Sequence, residues 1–310
     1  MVVADKYSLH NDFKKVPVLN VKFSPLIIAP LNFLLRLTRV LAKRPEGVTI
    51  VPRSVTADDG EPIKVRVITP DNVQSDAPCL IYYHGGAFAM TFSSMHIENS
   101  ARYARATGCI VVFVCYRLAM KNPFPDGFDD SYTALSWVVA NARRLGVDQS
   151  RIAVGGDSAG GALAAGVAQK CRDKDLIQLC GQMLIYPVLD HRCGTTSATD
   201  FVDVPLWNAI SNKRMWDMYL KNFNSSAPPL YATPGHGEVS NLPATYIETA
   251  EFDPLRDEGL NYAALLTAKK NILLLNETSG TIHGYDGYGK NEIVVASMQK
   301  RIDFLKTVFA

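Results

Sequence analysis

The pentapeptide Gly156-Asp-Ser158-Ala-Gly160 constrains this chain more tightly than any other feature. It follows the apolar run Ile152-Ala-Val154 and opens an Ala/Gly-rich stretch that reaches about residue 171. A strand that turns at once into a helix must bend sharply. Side chains two residues either side of the bend collide there unless both positions are glycine. The turn lifts Ser158 clear of the sheet and sets it at a helix N-terminus, where amides and the helix dipole favour negative charge. Strand, glycine-flanked serine and small-residue helix, in that order, imply a parallel sheet with helices packed closely on it.

The rest of the chain carries the same rhythm. Apolar or alternating runs predict strands at 65–69, 79–83, 109–116, 151–155, 182–186, 244–249 and 271–275. Helical spacing predicts helices at 32–43, 100–107, 132–144, 258–269 and 293–307, besides the one after Ser158. The fold class is therefore α/β, with helices on both faces. One interval breaks the pattern: 193–237 has no clear strand but holds Trp207, Met215, Trp216, Tyr219 and Phe223. Ligands in such folds gather beyond the carboxyl ends of the strands. An inserted helical cap there lines a pocket with Trp207, Met215, Trp216 and Tyr219, although aromatic and Met positions also serve as core. The expected organisation is an N-terminal cap segment over 1–50, core over 51–192, inserted cap helices over 193–237 and core again over 238–310.

Composition excludes several function classes. Lys plus Arg number 32 against 30 Asp plus Glu, so the near-neutral chain lacks the electrostatic footprint of a nucleic-acid binder. The hydrophobic fraction of 47% supplies a sizeable core and argues against disorder. The six cysteines form no C-x-x-C pair, which speaks against a zinc site or a disulfide framework and for reduced thiols in a cytoplasmic protein. The apolar stretch 23–35 is too short to span a bilayer and contains Pro25 and Pro30. It is expected to belong to a helical element packed on the protein, with interfacial membrane contact the lesser alternative and no stable insertion.

A serine hydroxyl needs a base. Of six histidines, His283 in Thr281-Ile-His-Gly-Tyr285 falls after the last predicted strand, in a loop on the side where Ser158 stands. The acid comes between them in chain order. Asp253, in Glu251-Phe-Asp-Pro-Leu-Arg-Asp257, directly follows a predicted strand; Glu251 and Asp257 compete with it. The fourth part is His84-Gly-Gly-Ala-Phe88, after the strand 79–83. Amides of Gly85, Gly86 and Ala87, with that of Ala159, are candidates to hold a negative oxygen, Gly86 and Ala87 being favoured within the loop. His84 is expected to brace that loop, and Phe88 to face substrate.

These stretches, with YRLA at 116–119, FPDGFDD at 124–130, GDSAGG at 156–161, EFDPLRDEG at 251–259 and IHGY at 282–285, resemble the hormone-sensitive lipase family of α/β-hydrolases. The resemblance runs from about residue 50 to the end. It implies an eight-stranded, mostly parallel sheet under a helical cap, and hydrolysis of short-chain acyl esters without cofactor or metal through Ser158, Asp253 and His283. Two positions depart from the family. Ala87 stands where many relatives have a third glycine, which costs little unless the position needs a positive φ. Met120-Lys121 replace a proline and an acid. Two alternatives stay open: a non-catalytic small-ligand receptor on the same fold, and a transacylase or amidase with the same triad. Homodimer formation through an edge strand is also open.

Overall fold

The computed structural model describes residues 6–223, 228–288 and 291–310. Eight strands form one sheet in the order β1-β2-β4-β3-β5-β6-β7-β8. They are β1 (Val48–Thr56), β2 (Pro62–Pro70), β3 (Ala77–Tyr83), β4 (Ile110–Cys115), β5 (Val147–Asp157), β6 (Gly181–Ile185), β7 (Ala244–Phe252) and β8 (Leu273–Ile282). β1 pairs antiparallel with β2, and β2 with β4; every other pairing is parallel. The apolar runs of β3, β4 and β6 sit mid-sheet and are buried because helices cover both faces.

The helices are α1 (Pro25–Leu41), α2 (Ser94–Thr107), α3 (Asp126–Ala140), α4 (Ala142–Leu145), α5 (Ala159–Lys174), α6 (Thr196–Asp200), α7 (Ala209–Tyr219), α8 (Arg256–Ala268) and α9 (Glu292–Val308). One apolar core joins α3, α5, α7 and α8 to one face of the sheet. A second joins α2 and α9 to the other. The parallel strands end in loops along one edge, which carries Ser158, Asp253 and His283.

Several elements depart from the sequence expectations, among them the helix expected at 132–144, which begins at Asp126 and is split into α3 and α4. β1 was not anticipated, since Pro52 and Arg53 interrupt its alternation; it is an edge strand, where proline is tolerated. β8 runs on through the polar stretch 276–282, so His283 follows the strand directly. α2 begins at Ser94, where Ser93 and His96 form a capping box. α1 begins earlier than expected, with Pro25 in the first turn, and buries only Ile28. Its apolar side does not pack on the protein as expected.

The N-terminal segment and the insert are joined. Leu206 N–H donates to Pro17 O (2.9 Å) and Val21 N–H to Ser211 Oγ (3.0 Å). Asn208 Nδ2 donates to Leu19 O (3.1 Å), and Lys6 and Tyr7 both reach Asp203. Residues 1–5 of the first segment and 224–227 of the insert lie outside the described residues. No helix of the described residues is long and apolar enough to cross a membrane.

Candidate active site

Ser158 stands between β5 and α5 with φ +55° and ψ −119°. A non-glycine residue there costs of order 1–3 kcal/mol, so its surroundings must hold it. Ser158 N–H donates to Ile185 O (2.9 Å), and Ser158 O accepts from Val188 N–H and Ala162 N–H, both 3.2 Å. The flanking glycines meet backbone. A Cβ on Gly160 would lie 2.0 Å from Tyr83 O, and one on Gly156 would lie 2.4 Å from Gly160 C.

The loops after β7 and β8 bring two further groups to this turn. His283 Nε2 lies 2.8 Å from Ser158 Oγ, and His283 Nδ1 lies 2.7 Å from Asp253 Oδ2. A carboxylate only accepts, so Nδ1 carries the proton and Nε2 faces the hydroxyl with a free lone pair. Asp253 is wholly buried, and its Oδ1 accepts from Leu255 N–H (2.9 Å). The competing acids are engaged elsewhere. Glu251 accepts from Gly280 N–H (2.6 Å), and Asp257 accepts from Ser197 N–H (2.8 Å) and pairs with Arg256. The His283 ring meets Tyr186 edge-on at 4.9 Å and Trp207 at 6.0 Å.

The glycine loop after β3 lies beside the serine turn. Gly86, Ala87 and Phe88 all have positive φ, at +118°, +54° and +57°. Ala87 therefore occupies the conformation in which glycine is favoured, so its place in the loop carries strain that the sequence does not reveal. Gly85 is required for another reason, since a Cβ there would lie 2.2 Å from Asp157 Oδ2. The amides of Gly85, Gly86, Ala87 and Ala159 donate to no protein group among the described residues. Buried amides are rarely left so.

Two buried residues brace this loop. The His84 ring stacks against Tyr116 (4.5 Å) and Phe113 (5.8 Å), with Nδ1 2.7 Å from Gly85 O. Burial, aided by nearby His96, pushes its pKa down to about 3, so the ring is neutral. Asp157 stays ionised. Desolvation pushes its carboxyl up, but the charge and hydrogen bond of His96 and the hydroxyl of Tyr82 bring it down to about 2.

The expected pocket residues fall into two groups. Phe88 stacks on Tyr219 at 3.7 Å and lies 6.4 Å from Trp216, with Met215 fully buried on the same helix. Trp207 instead stands next to His283. The indole nitrogens of Trp207 and Trp216 are buried with no hydrogen-bond partner among the described residues.

Glu258 went unnoticed in the sequence, although it lies within the EFDPLRDEG stretch. It is buried, and its Oε1 accepts from Leu189 N–H (2.6 Å). Desolvation holds its carboxyl well above the ordinary range, against the pull of that amide. Asp190, His191 and His236 bring ligand atoms within 4.8 Å of one another, a spacing that suits a cation. Arg192, however, donates to both oxygens of Asp190.

Known proteins share the fold of this chain. The model of a family described as alpha/beta hydrolase fold matches residues 80–286. Carboxylesterase NlhH of Mycobacterium tuberculosis is 39% identical over 239 residues, 76% of this chain and 75% of its own length. Esterase LipI of the same organism is 36% identical, over 73% of this chain and 72% of its own. Among solved structures, a bacterial heroin esterase superposes with a TM-score of 0.91 at 33% identity, covering 98% of both chains. Esterase LipW of Mycobacterium marinum gives 0.90 at 32%, covering 97% of this chain and 96% of its own. The chain belongs to the alpha/beta hydrolase fold family, in its hormone-sensitive lipase branch.

Proposed function

We propose that this protein is a serine carboxylesterase that hydrolyses short-chain acyl esters through an acyl-enzyme on Ser158. The observation that carries this is the relay from Asp253 through His283 to the Ser158 hydroxyl, at 2.7 and 2.8 Å. His283 Nε2 takes the proton as Ser158 Oγ attacks the ester carbonyl. Asp253 keeps Nδ1 protonated and balances the charge that forms on the ring. The carbonyl oxygen becomes negative and is held by amides of Gly86, Ala87 and Ala159, with Gly85 shaping the loop. Such a donor is worth about 3–4 kcal/mol in the transition state. The alcohol leaves with the proton from His283. Water then repeats the sequence and frees the acid. Every step uses water and groups of the chain.

The cap consists of the described parts of residues 1–50 and 193–237. Phe88, Met215, Trp216 and Tyr219 bound the acyl side of the pocket, and their close packing supports short acyl groups. Trp207 faces the leaving group beside His283. The six free cysteines support a reducing, cytoplasmic setting. A receptor needs no base, and the hydrogen-bonded His283 favours an enzyme.

The test is turnover of nitrophenyl esters from acetate to palmitate by the wild type and Ser158→Ala. Turnover that peaks at short chains and disappears in the variant supports the assignment. An unchanged rate in Ser158→Ala, or a maximum at palmitate, overturns the corresponding part. Product analysis with a competing alcohol separates hydrolysis from acyl transfer.

A further inference from the structure

Helix α1 is mounted with its polar edge inward. Asn32 Nδ2 donates to Ala89 O (3.1 Å), and Asn32 Oδ1 accepts from Thr91 N–H (2.7 Å). Arg39 donates to Thr91 Oγ1 (3.2 Å) and to Phe92 O, and lies over the Phe92 ring. The other side is apolar and faces outward. Leu26, Phe33, Val40 and Leu41 are 88%, 69%, 80% and 74% exposed, and Leu34 and Leu37 are exposed beside them. At about 100° per residue these six positions share one arc of roughly 120°. A soluble helix turns such a stripe toward the core.

The charges around the stripe have one sign. Residues 13–45 contain seven Lys or Arg and no Asp or Glu. Beside the C-terminal half of α1 runs a groove of about 1000 Å³, lined among others by Arg36, Arg39, Lys43, Arg44 and Arg66. None of these five pairs with a carboxylate among the described residues; Glu98, also in the groove, is taken by Arg102 and Arg105. Burial and the nearby charges of Arg66 and Arg36 hold Arg39 below its ordinary range, which an arriving anion would relieve.

From this juxtaposition we infer that α1 docks the protein on anionic phospholipid surfaces, its apolar stripe in the acyl boundary and its cationic flank against the headgroups. An outward apolar stripe bordered by cations is the form of a helix that lies in a membrane interface. Nucleic acid would use the cations but leave the stripe unmatched. The docking is peripheral, since α1 has only 17 residues. It also has a consequence for access. α1 is tied through Asn32 and Arg39 to residues 89–92, directly after the glycine loop of the site. Docking therefore brings that loop to a surface where apolar esters collect.

The test is co-flotation of the whole protein with vesicles of phosphatidylcholine, with and without phosphatidylglycerol, alongside sedimentation equilibrium without lipid. The wild type should float with phosphatidylglycerol vesicles, and less so as salt is raised. R36Q/K43Q should bind about 25-fold more weakly, at roughly fivefold per cation. F33S/V40S should lose at least about tenfold. All four positions are exposed, so both variants should keep wild-type turnover of a soluble nitrophenyl butyrate, which verifies the fold. Absence of flotation, or binding equal on both vesicle types, overturns the proposal. So does a stable dimer that F33S/V40S dissociates without any flotation, which would assign the stripe to a second copy of the chain.

Discussion

Glu248 in the middle of β7 and Asp253 directly after it stand five residues apart, and both are completely buried. Glu248 is saturated. Arg301 clamps it, with Nε 3.1 Å from Oε2. Tyr246 (2.6 Å), Tyr285 (2.8 Å) and Asn276 (3.2 Å) donate to its remaining positions. Desolvation, the largest single influence, would raise its carboxyl, but the Arg301 charge and the hydrogen bonds from Arg301, Tyr246 and Tyr285 together hold it below the ordinary range. Asp253 has one fixed amide, from Leu255, and otherwise meets an imidazole whose far nitrogen ends on a hydroxyl. The first cluster closes on itself and the second ends at the strained Ser158, beside unpaired amides. Two buried carboxylates, one on β7 and one directly after it, thus differ in what their partners have left to offer. The two clusters also connect. Tyr285 and Asp286 immediately follow Gly284 after His283, and Arg301 Nη1 holds Asp286 at 2.7 Å. The Glu248 cluster thereby also touches the loop that carries His283.

Substitutions can break this contrast. The largest effect is expected from Asp253→Asn, which should lower kcat by about 10³–10⁴-fold with little change in Tm, because the imidazole then takes the wrong tautomer. Arg301→Met should do the reverse. Two buried carboxylates lose their cation, costing about 3–5 kcal/mol in denaturant unfolding, while the protein still folded at low temperature keeps kcat within a few-fold. If Arg301→Met lost activity without losing stability, the division between the clusters would collapse.

A smaller effect concerns the loop brace. The folded-state pKa of His84, about 3, lies below the ordinary value of 6.5, so folding excludes a proton that the unfolded chain binds. This contribution is intact above pH 6.5 and is lost as pH falls toward 3. The slope is at most about 1.4 kcal/mol per pH unit. His84→Gln should flatten the stability curve between pH 6 and about 4 relative to wild type; parallel curves would remove His84 from this role. The smallest effect is that of Ala87→Gly. Relief of a positive φ should raise stability by about 1 kcal/mol, read as a higher Tm, with kcat little changed.

The parts legible in the sequence were those where geometry dictates residue type. Gly156 and Gly160 had to be glycine because backbone lies within 2.5 Å of where a Cβ would be, and this marked the serine between them. Apolar β3, β4 and β6 announced themselves as buried strands. The polar half of β8 did not, because backbone carbonyls of β7 and β8 satisfy its hydroxyls. Thr278 Oγ1 donates to Thr249 O (2.9 Å), and Thr281 Oγ1 to Thr278 O (2.8 Å), so burial there leaves no hydrophobic signature. The sequence marked His84 as a brace but not the rings it stacks on, and the clamp on Glu248 was hidden, since these partners come from other strands and helices. α1 misled in the opposite sense. Its apolar spacing promised a packed face, and in the fold that face points outward.

The most direct test of the central claim is labelling with a fluorophosphonate, read by peptide mass spectrometry alongside residual esterase activity. One adduct per chain, on the peptide containing Ser158, with activity falling in step and labelling greatly slowed in His283→Gln, is the predicted result. An adduct on another residue, or full activity in chains labelled at Ser158, would contradict it.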